Sequence, residues 1–117
     1  MTTVTVLGTI QEAGEALLVL TEDLGEGELL AAWPTRGEIT RLLGVLAAAL
    51  RMLPRELVSA LPEIDWAGWR GMAVALGQAS AAGDEALCFG VRFLVPATVR
   101  GLRRFRLSQP EMFAQWA

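Results

Sequence analysis

Residues 35–53 read TRGEITRLLGVLAAALRML, and the spacing of their apolar side chains predicts an amphipathic helix. Large apolar residues recur every three or four positions and so share one helical face: Ile39, Leu42, Leu46, Leu50 and Leu53. Thr35 followed by Glu38 is the arrangement of a capping box at a helix start. Pro54 is compatible with the first turn of a following helix, so Arg55–Leu61 is expected to continue helically at a changed angle.

The same periodicity appears on both sides of this segment. A first helix is indicated upstream by a face of Ile10, Ala13, Leu17, Leu20 and Leu24. It is expected to end at Gly25-Glu26-Gly27, because glycine is costly inside a helix and favoured just after one. Downstream, Asp65 is a suitable N-cap for a third helix that starts near Trp66. The predicted face of this third helix is Trp66, Trp69, Ala73 and Leu76.

A fourth helix is expected to start near the acidic residues Asp84 and Glu85. Its buried face is predicted to be Leu87, Val91, Leu94, Thr98, Leu102 and Phe105. Pro96 lies inside this helix and should kink it. Since no stretch alternates long enough to indicate a strand, we predict an all-α, four-helix up-down bundle with short extra helical segments over residues 1–107. Residues 108–117 are expected to form a C-terminal tail.

The composition excludes several classes of catalytic site. The 117 residues include no His, Tyr, Lys or Asn, and every basic side chain is an arginine. A zinc site of His and Cys and a triad with a His base are therefore excluded. The single cysteine, Cys88, lies among Leu87, Phe89 and Val91 and is interpreted as a small packed hydrophobe. We expect no metal and no cofactor, and we interpret the four tryptophans as core and interface anchors.

Charge is distributed unevenly along a chain whose net charge is −3. Residues 1–38 are strongly acidic, whereas residues 92–106 hold five arginines and no acid. This basic segment either attracts a phosphate backbone or acidic partner, or is a solvated helix face that complements the helix dipole. The N-terminus lacks the pattern of a secretory signal, and the longest uncharged run, residues 71–83, is too short to span a bilayer. We therefore expect a cytoplasmic protein without a membrane segment.

Residues 35–84 also resemble the HepT-like branch of the HEPN superfamily. The matching segments are Leu43-Gly44-Val45-Leu46, Leu53-Pro54-Arg55-Glu56-Leu57, Pro62-Glu63-Ile64-Asp65-Trp66 and Gly71-Met72. The resemblance extends from about residue 6 to residue 106. The spacing of the Pro-Glu-Ile-x-Trp and Gly-Met elements is fairly specific, whereas the leucine pattern alone is not.

The resemblance implies a helical bundle that dimerises. Active members of the family cleave RNA with an Arg and a His, often followed by a Tyr, and pair with a small nucleotidyltransferase antitoxin. Those three positions fall here on Ala73, Gln78 and Ser80, which cannot transfer protons or stabilise phosphorane charge as the family residues do. Arg70 lies three residues too early to take over the role. Residues 73–79 are small and mostly apolar, so we expect a cleft packed shut, with Ala73 largely buried.

The resemblance therefore implies a catalytically inactive HepT-like protein that acts by protein–protein binding. Its expected partners are a second copy, held through the third and fourth helices, and a nucleotidyltransferase-type protein or an active relative. A mean hydropathy of +0.41 independently favours an interface on so small a chain. Two alternatives stay open: a ribonuclease with a rearranged site that uses either Arg70 with an acid such as Asp84 or arginines of the basic helix, and an RNA-binding module. The candidate RNA or partner contacts are Arg70, Arg100, Arg103, Arg104 and Arg106.

Overall fold

The computed structural model describes residues 2–25, 27–28, 35–76 and 81–111. Over these residues the chain is helical and contains no strand. Its elements in chain order are α1 (Thr3–Thr21), α2 (Thr35–Arg51), α3 (Arg55–Ser59), α4 (Trp66–Leu76), α5 (Ala81–Phe89), a π-helical turn (Gly90–Leu94) and α6 (Val95–Ser108). The long segments form the predicted all-α bundle, and α3 is a short extra helix. Within the predicted tail, residues 112–117 lie outside the described part of the chain.

Three helix boundaries differ from those that the apolar pattern indicates. α1 starts before the pattern does, because the Thr2 hydroxyl caps it by accepting a hydrogen bond from the Thr5 N–H at 3.2 Å. The same helix ends at Thr21, before the predicted glycine turn. α5 starts at Ala81, upstream of Asp84. A cap such as the one at Thr2 depends on a local hydrogen bond, so it sets a helix boundary independently of the apolar face.

One core runs through all the helices. α4 contributes Trp69 and Met72 to this core, and the largest fully enclosed apolar side chains come from the other segments: Ile10, Leu17, Ile39, Leu43, Leu46, Leu57, Leu61, Leu87, Leu94 and Val95. α1 packs against α2 and α6, and α4 packs against α5. The predicted second helix corresponds to α2, and the predicted fourth helix to α5, the π turn and α6; both predicted faces are buried at every position. The predicted faces of the first helix (α1) and the third helix (α4) are buried only in part, because five of their residues are half-buried: Leu20, Leu24, Trp66, Ala73 and Leu76.

α4 is capped by Asp65 and is held in the bundle by the hydrogen bonds of its two indoles. Asp65 caps the helix as predicted, with its Oδ1 accepting a hydrogen bond from the Gly68 N–H at 2.9 Å. Trp69 is 3% exposed, and its Nε1–H donates to the Thr98 Oγ1 of α6 at 2.9 Å. The Trp66 indole N–H donates to a backbone carbonyl at 3.2 Å. Both tryptophans therefore act as core anchors, as predicted, while Trp33 and Trp116 lie outside the described residues.

The helix that contains Pro96 widens just before it. Proline lacks an N–H and clashes with the carbonyl four residues earlier, which here belongs to Arg92. The chain forms a π turn over Gly90–Leu94, and the Val95 N–H donates to the Gly90 carbonyl, five residues back. The predicted disturbance at Pro96 therefore takes the form of a π turn between α5 and α6.

α1 is the one helix in the described ranges that is long and apolar enough to match a membrane span by length and composition. It has 19 residues and carries Glu12 and Glu15. Its apolar face, which includes Ile10 and Leu17, is buried against α2 and α6. Its position is that of a core helix of the bundle, and core helices meet the same criteria of length and composition.

Candidate functional site

A groove of about 550 Å³ opens between α2, α3 and α4. Most of its lining is apolar, including Leu50, Val58, Trp66, Trp69 and Ala73. Two exposed basic side chains complete it: Arg51 at the end of α2 and Arg70 on α4. The volume and the mixture of an apolar floor with a few charged groups are typical of small-molecule sites, whose volumes run from about 300 to 1,000 Å³.

Small side chains on two helices leave the space for this groove. Ala47 of α2 and Ala73 of α4 both line it, and a methyl group fills little of the gap between helices. The backbone at Pro54 is extended and redirects the chain from α2 into α3, which contributes Val58 to the lining. The groove thus results from small residues on neighbouring helices and a change of direction between two of them.

The expectation of a cleft packed shut is wrong for the single chain. Ala73 is half-buried rather than largely buried, and it lines an open groove together with Arg70. The physical reason is that Ala47 on α2 is also small, so no large side chain fills the space beside Ala73. The other two substituted motif positions, Gln78 and Ser80, lie outside the described residues.

The two groove arginines differ from four others in their electrostatic environment. Within residues 2–25, 27–28, 35–76 and 81–111, no carboxylate forms an ion pair with Arg51 or Arg70. By contrast, four arginines elsewhere are paired with acids: Arg36 with Asp84, Arg41 with Glu38, Arg103 with Glu15 and Arg104 with Glu63. The groove therefore presents positive charge that the described part of the chain leaves uncompensated.

The alternative nuclease site of Arg70 with Asp84 is not assembled in the described residues. The Asp84 carboxylate instead accepts a hydrogen bond from Arg36 of α2. Arg70 lies in the groove lining without a hydrogen bond to that acid. The parts of the chain that can be described also hold no group of three or more acids or cysteines able to bind a metal ion.

The arginines of α6 do not form one continuous unpaired surface. Arg103 Nη2 lies 3.2 Å from Glu15 Oε1 on α1, and Arg104 Nη1 lies 2.9 Å from Glu63 Oε1. Two further arginines are exposed on the same helix: Arg100 and Arg106. Because acids of the same chain balance Arg103 and Arg104, the arrangement favours a solvated helix face over a phosphate-binding surface.

The pKa of Glu15 tests whether this carboxylate is paired with Arg103. Its pKa is lowered from the ordinary 4.5, first by a hydrogen bond from Gln11 and then by one from Arg103. A depressed pKa adds stability above pH 4.5, and that stability is lost as the pH falls through the folded-state pKa. Both Gln11→Ala and Arg103→Gln are expected to raise the Glu15 pKa, because each removes a hydrogen bond to the carboxylate. A carboxyl ¹³C NMR titration checks this, and an unchanged midpoint in both variants would contradict it.

An exposed aromatic pair lies on α5 and the π turn, in the segment that the sequence predicts as a fourth helix. Phe89 ends α5 and Phe93 lies in the π turn; their ring centroids are 5.8 Å apart and their planes are tilted by 59°. Phe93 is 69% exposed and Phe89 is 36% exposed. Neighbouring aromatic side chains exposed in this way are typical of interaction surfaces. The sequence patterns did not predict this surface; the one signal for it is that both phenylalanines fall outside the predicted buried face.

The structure therefore has two candidate binding features, the groove and the aromatic pair, and neither phenylalanine lines the groove. Cys88 is half-buried and forms no disulfide, so it is less enclosed than a fully packed hydrophobe. The chain matches no protein-family model, no curated protein and no solved structure.

Proposed function

We propose that this chain is a catalytically inactive HepT-like protein of the HEPN superfamily that acts by binding other proteins. It forms a cytoplasmic homodimer and binds a nucleotidyltransferase-type protein or an active relative. The observation that carries the proposal is the exposed pair of Phe89 and Phe93 on the helix predicted to enter the dimer interface. Val74 on α4, the other predicted interface helix, is also exposed.

The exposed aromatic rings supply a physical reason to dimerise. Burying a phenylalanine side chain fully contributes roughly 1.5–3 kcal/mol. A two-fold symmetric dimer buries two copies of the Phe93 ring, one from each protomer. Loss of Phe93 alone should therefore weaken the dimer by about 100-fold or more, since 1.4 kcal/mol corresponds to a tenfold change in affinity.

The groove supports binding over catalysis. Its two charged side chains, Arg51 and Arg70, are guanidinium groups, which bind anions and are not typical general acids or bases. Ala73 stands at the position where the HepT-like resemblance places a catalytic arginine, and it contributes only a methyl group to the lining. These residues support a protein that retains a binding surface without the proton-transfer groups of a ribonuclease.

Light scattering on the purified chain tests the dimer. The wild type is expected to have twice the 12.6 kDa chain mass at micromolar concentration, and Phe93→Ser is expected to be monomeric. Val19→Ser is the matched control, because Val19 is also 69% exposed but lies on α1. It should leave the dimer intact. A monomeric wild type, or a dimer that survives Phe93→Ser, would contradict the proposed interface.

An RNA-cleavage assay on the same protein tests the absence of catalysis. No cleavage is expected from the wild type at neutral pH. Cleavage that disappears in Arg70→Gln would instead support the rearranged nuclease. Salt-dependent RNA binding that weakens in Arg100→Gln would support the RNA-binding module.

A further inference from the structure

We propose that the groove between α2, α3 and α4 binds a small amphipathic anion with an aliphatic body and one carboxylate, of the fatty-acid class. This inference goes beyond the protein-binding function and does not depend on it. It rests on three observations about one site: an apolar floor, two uncompensated arginines, and a volume of about 550 Å³ suited to a small molecule.

The floor selects an apolar body. Leu50 and Val58 line it beside the two indoles of Trp66 and Trp69. The Trp66 and Trp69 indole N–H groups donate to the Leu61 carbonyl and the Thr98 hydroxyl, respectively. Because its N–H is engaged within the protein, the half-buried Trp66 ring offers mainly apolar surface to a ligand, as does the half-buried Val58, and this favours methylene groups over a polar ligand.

The arginines select the head group. Arg51 and Arg70 each present a planar guanidinium that matches a carboxylate with paired hydrogen bonds. No acidic residue is among the lining residues of the described chain, so a cationic head group would be repelled and a neutral one would gain less. Since the whole protein carries a net charge of −3, the groove is a local positive site on an acidic molecule.

An RNA ligand fits this arrangement less well. Its sugar–phosphate chain would lie against Leu50 and Val58, whose side chains provide no hydrogen bonds to ribose or phosphate. A carboxylate at one end of an alkyl chain instead places its charge at the arginines and its methylenes over the floor.

Isothermal titration of the full chain with decanoate tests the proposal. Binding of one decanoate per chain is expected, with decanol at least tenfold weaker and decyltrimethylammonium not bound. Shortening the chain to octanoate should weaken binding by about tenfold, because two methylene contacts are lost. Arg51→Gln and Arg70→Gln should each weaken decanoate by about tenfold and leave decanol unchanged. Equal binding of the three decyl compounds, or no binding of decanoate, would overturn the proposal.

Three variants locate the ligand. Ala73→Leu fills the groove and should weaken decanoate and decanol alike, with circular dichroism confirming that the bundle still forms. Arg100→Gln removes an exposed arginine of α6 outside the groove and should leave binding unchanged. Decanoate that binds Ala73→Leu and the double variant Arg51→Gln/Arg70→Gln as tightly as wild type would overturn it.

Discussion

Replacing Trp69 by alanine is expected to lower the free energy of unfolding by about 3–5 kcal/mol, the usual cost of truncating a buried aromatic side chain. The indole is 3% exposed and joins α4 to α6 through its hydrogen bond to Thr98. Its removal leaves a cavity. It also leaves the hydroxyl of Thr98, a residue that is 1% exposed, without the indole N–H that donates to it. Because the cavity and the lost hydrogen bond act at one place, this is the largest single loss that we expect in the bundle.

Urea denaturation measures this loss, and Thr98→Val separates its two parts. The valine keeps the shape of Thr98 and leaves the Trp69 N–H unpaired, at a cost of about 1–3 kcal/mol. The rest of the Trp69→Ala effect then belongs to the cavity. A Trp69→Ala protein within 1 kcal/mol of wild type would contradict the core position of this side chain.

Gly14→Ala is expected to destabilise the protein by roughly 1–3 kcal/mol, the cost of overpacking a tight contact. A Cβ added at Gly14 of α1 would lie 2.6 Å from Val99 Cγ2 on α6. Val99 is buried and β-branched, so it cannot easily rotate away. The two helix backbones or the valine must therefore shift.

Gly8→Ala on the same helix is the matched control. No atom lies within 4 Å of a Cβ built at Gly8, so alanine there should stabilise the helix by about 0.5–1 kcal/mol. The same chemical change should thus have opposite signs at two positions of α1, as read from thermal or urea unfolding. Equal effects at Gly8 and Gly14 would contradict the close approach of α1 and α6.

Much of the fold follows from the sequence by itself, because helix periodicity and caps are local properties. The spacing over residues 35–53 is enough to place α2 and its buried face, and every predicted member of that face is buried. Asp65 caps α4 as expected, since an N-cap depends only on the next few backbone N–H groups. The absence of histidine is likewise a property of the sequence, and it excludes a histidine base whatever the fold.

The candidate site depended on contacts between distant segments. An alanine at position 73 is compatible with close helix packing and with an open groove. In the folded chain it lines a groove together with Ala47 of α2, which is equally small. Arg103 of α6 and Glu15 of α1 are 88 residues apart, so no local pattern shows that the two side chains form a pair. Pro96 predicts a kink in the helix. The structure shows instead a π turn before the proline, and this turn contains the exposed Phe93.

Sequence alone thus determined which residues form helices, which faces are apolar and which catalytic chemistry is excluded. Only the tertiary structure decided that Arg51 and Arg70 share one apolar groove, and that the described acids are paired elsewhere or lie away from it. The physical reason is that a helix is specified by neighbours within about four residues. A groove, by contrast, is specified by the side chains that two packed helices bring together, and by the space that small residues leave between them.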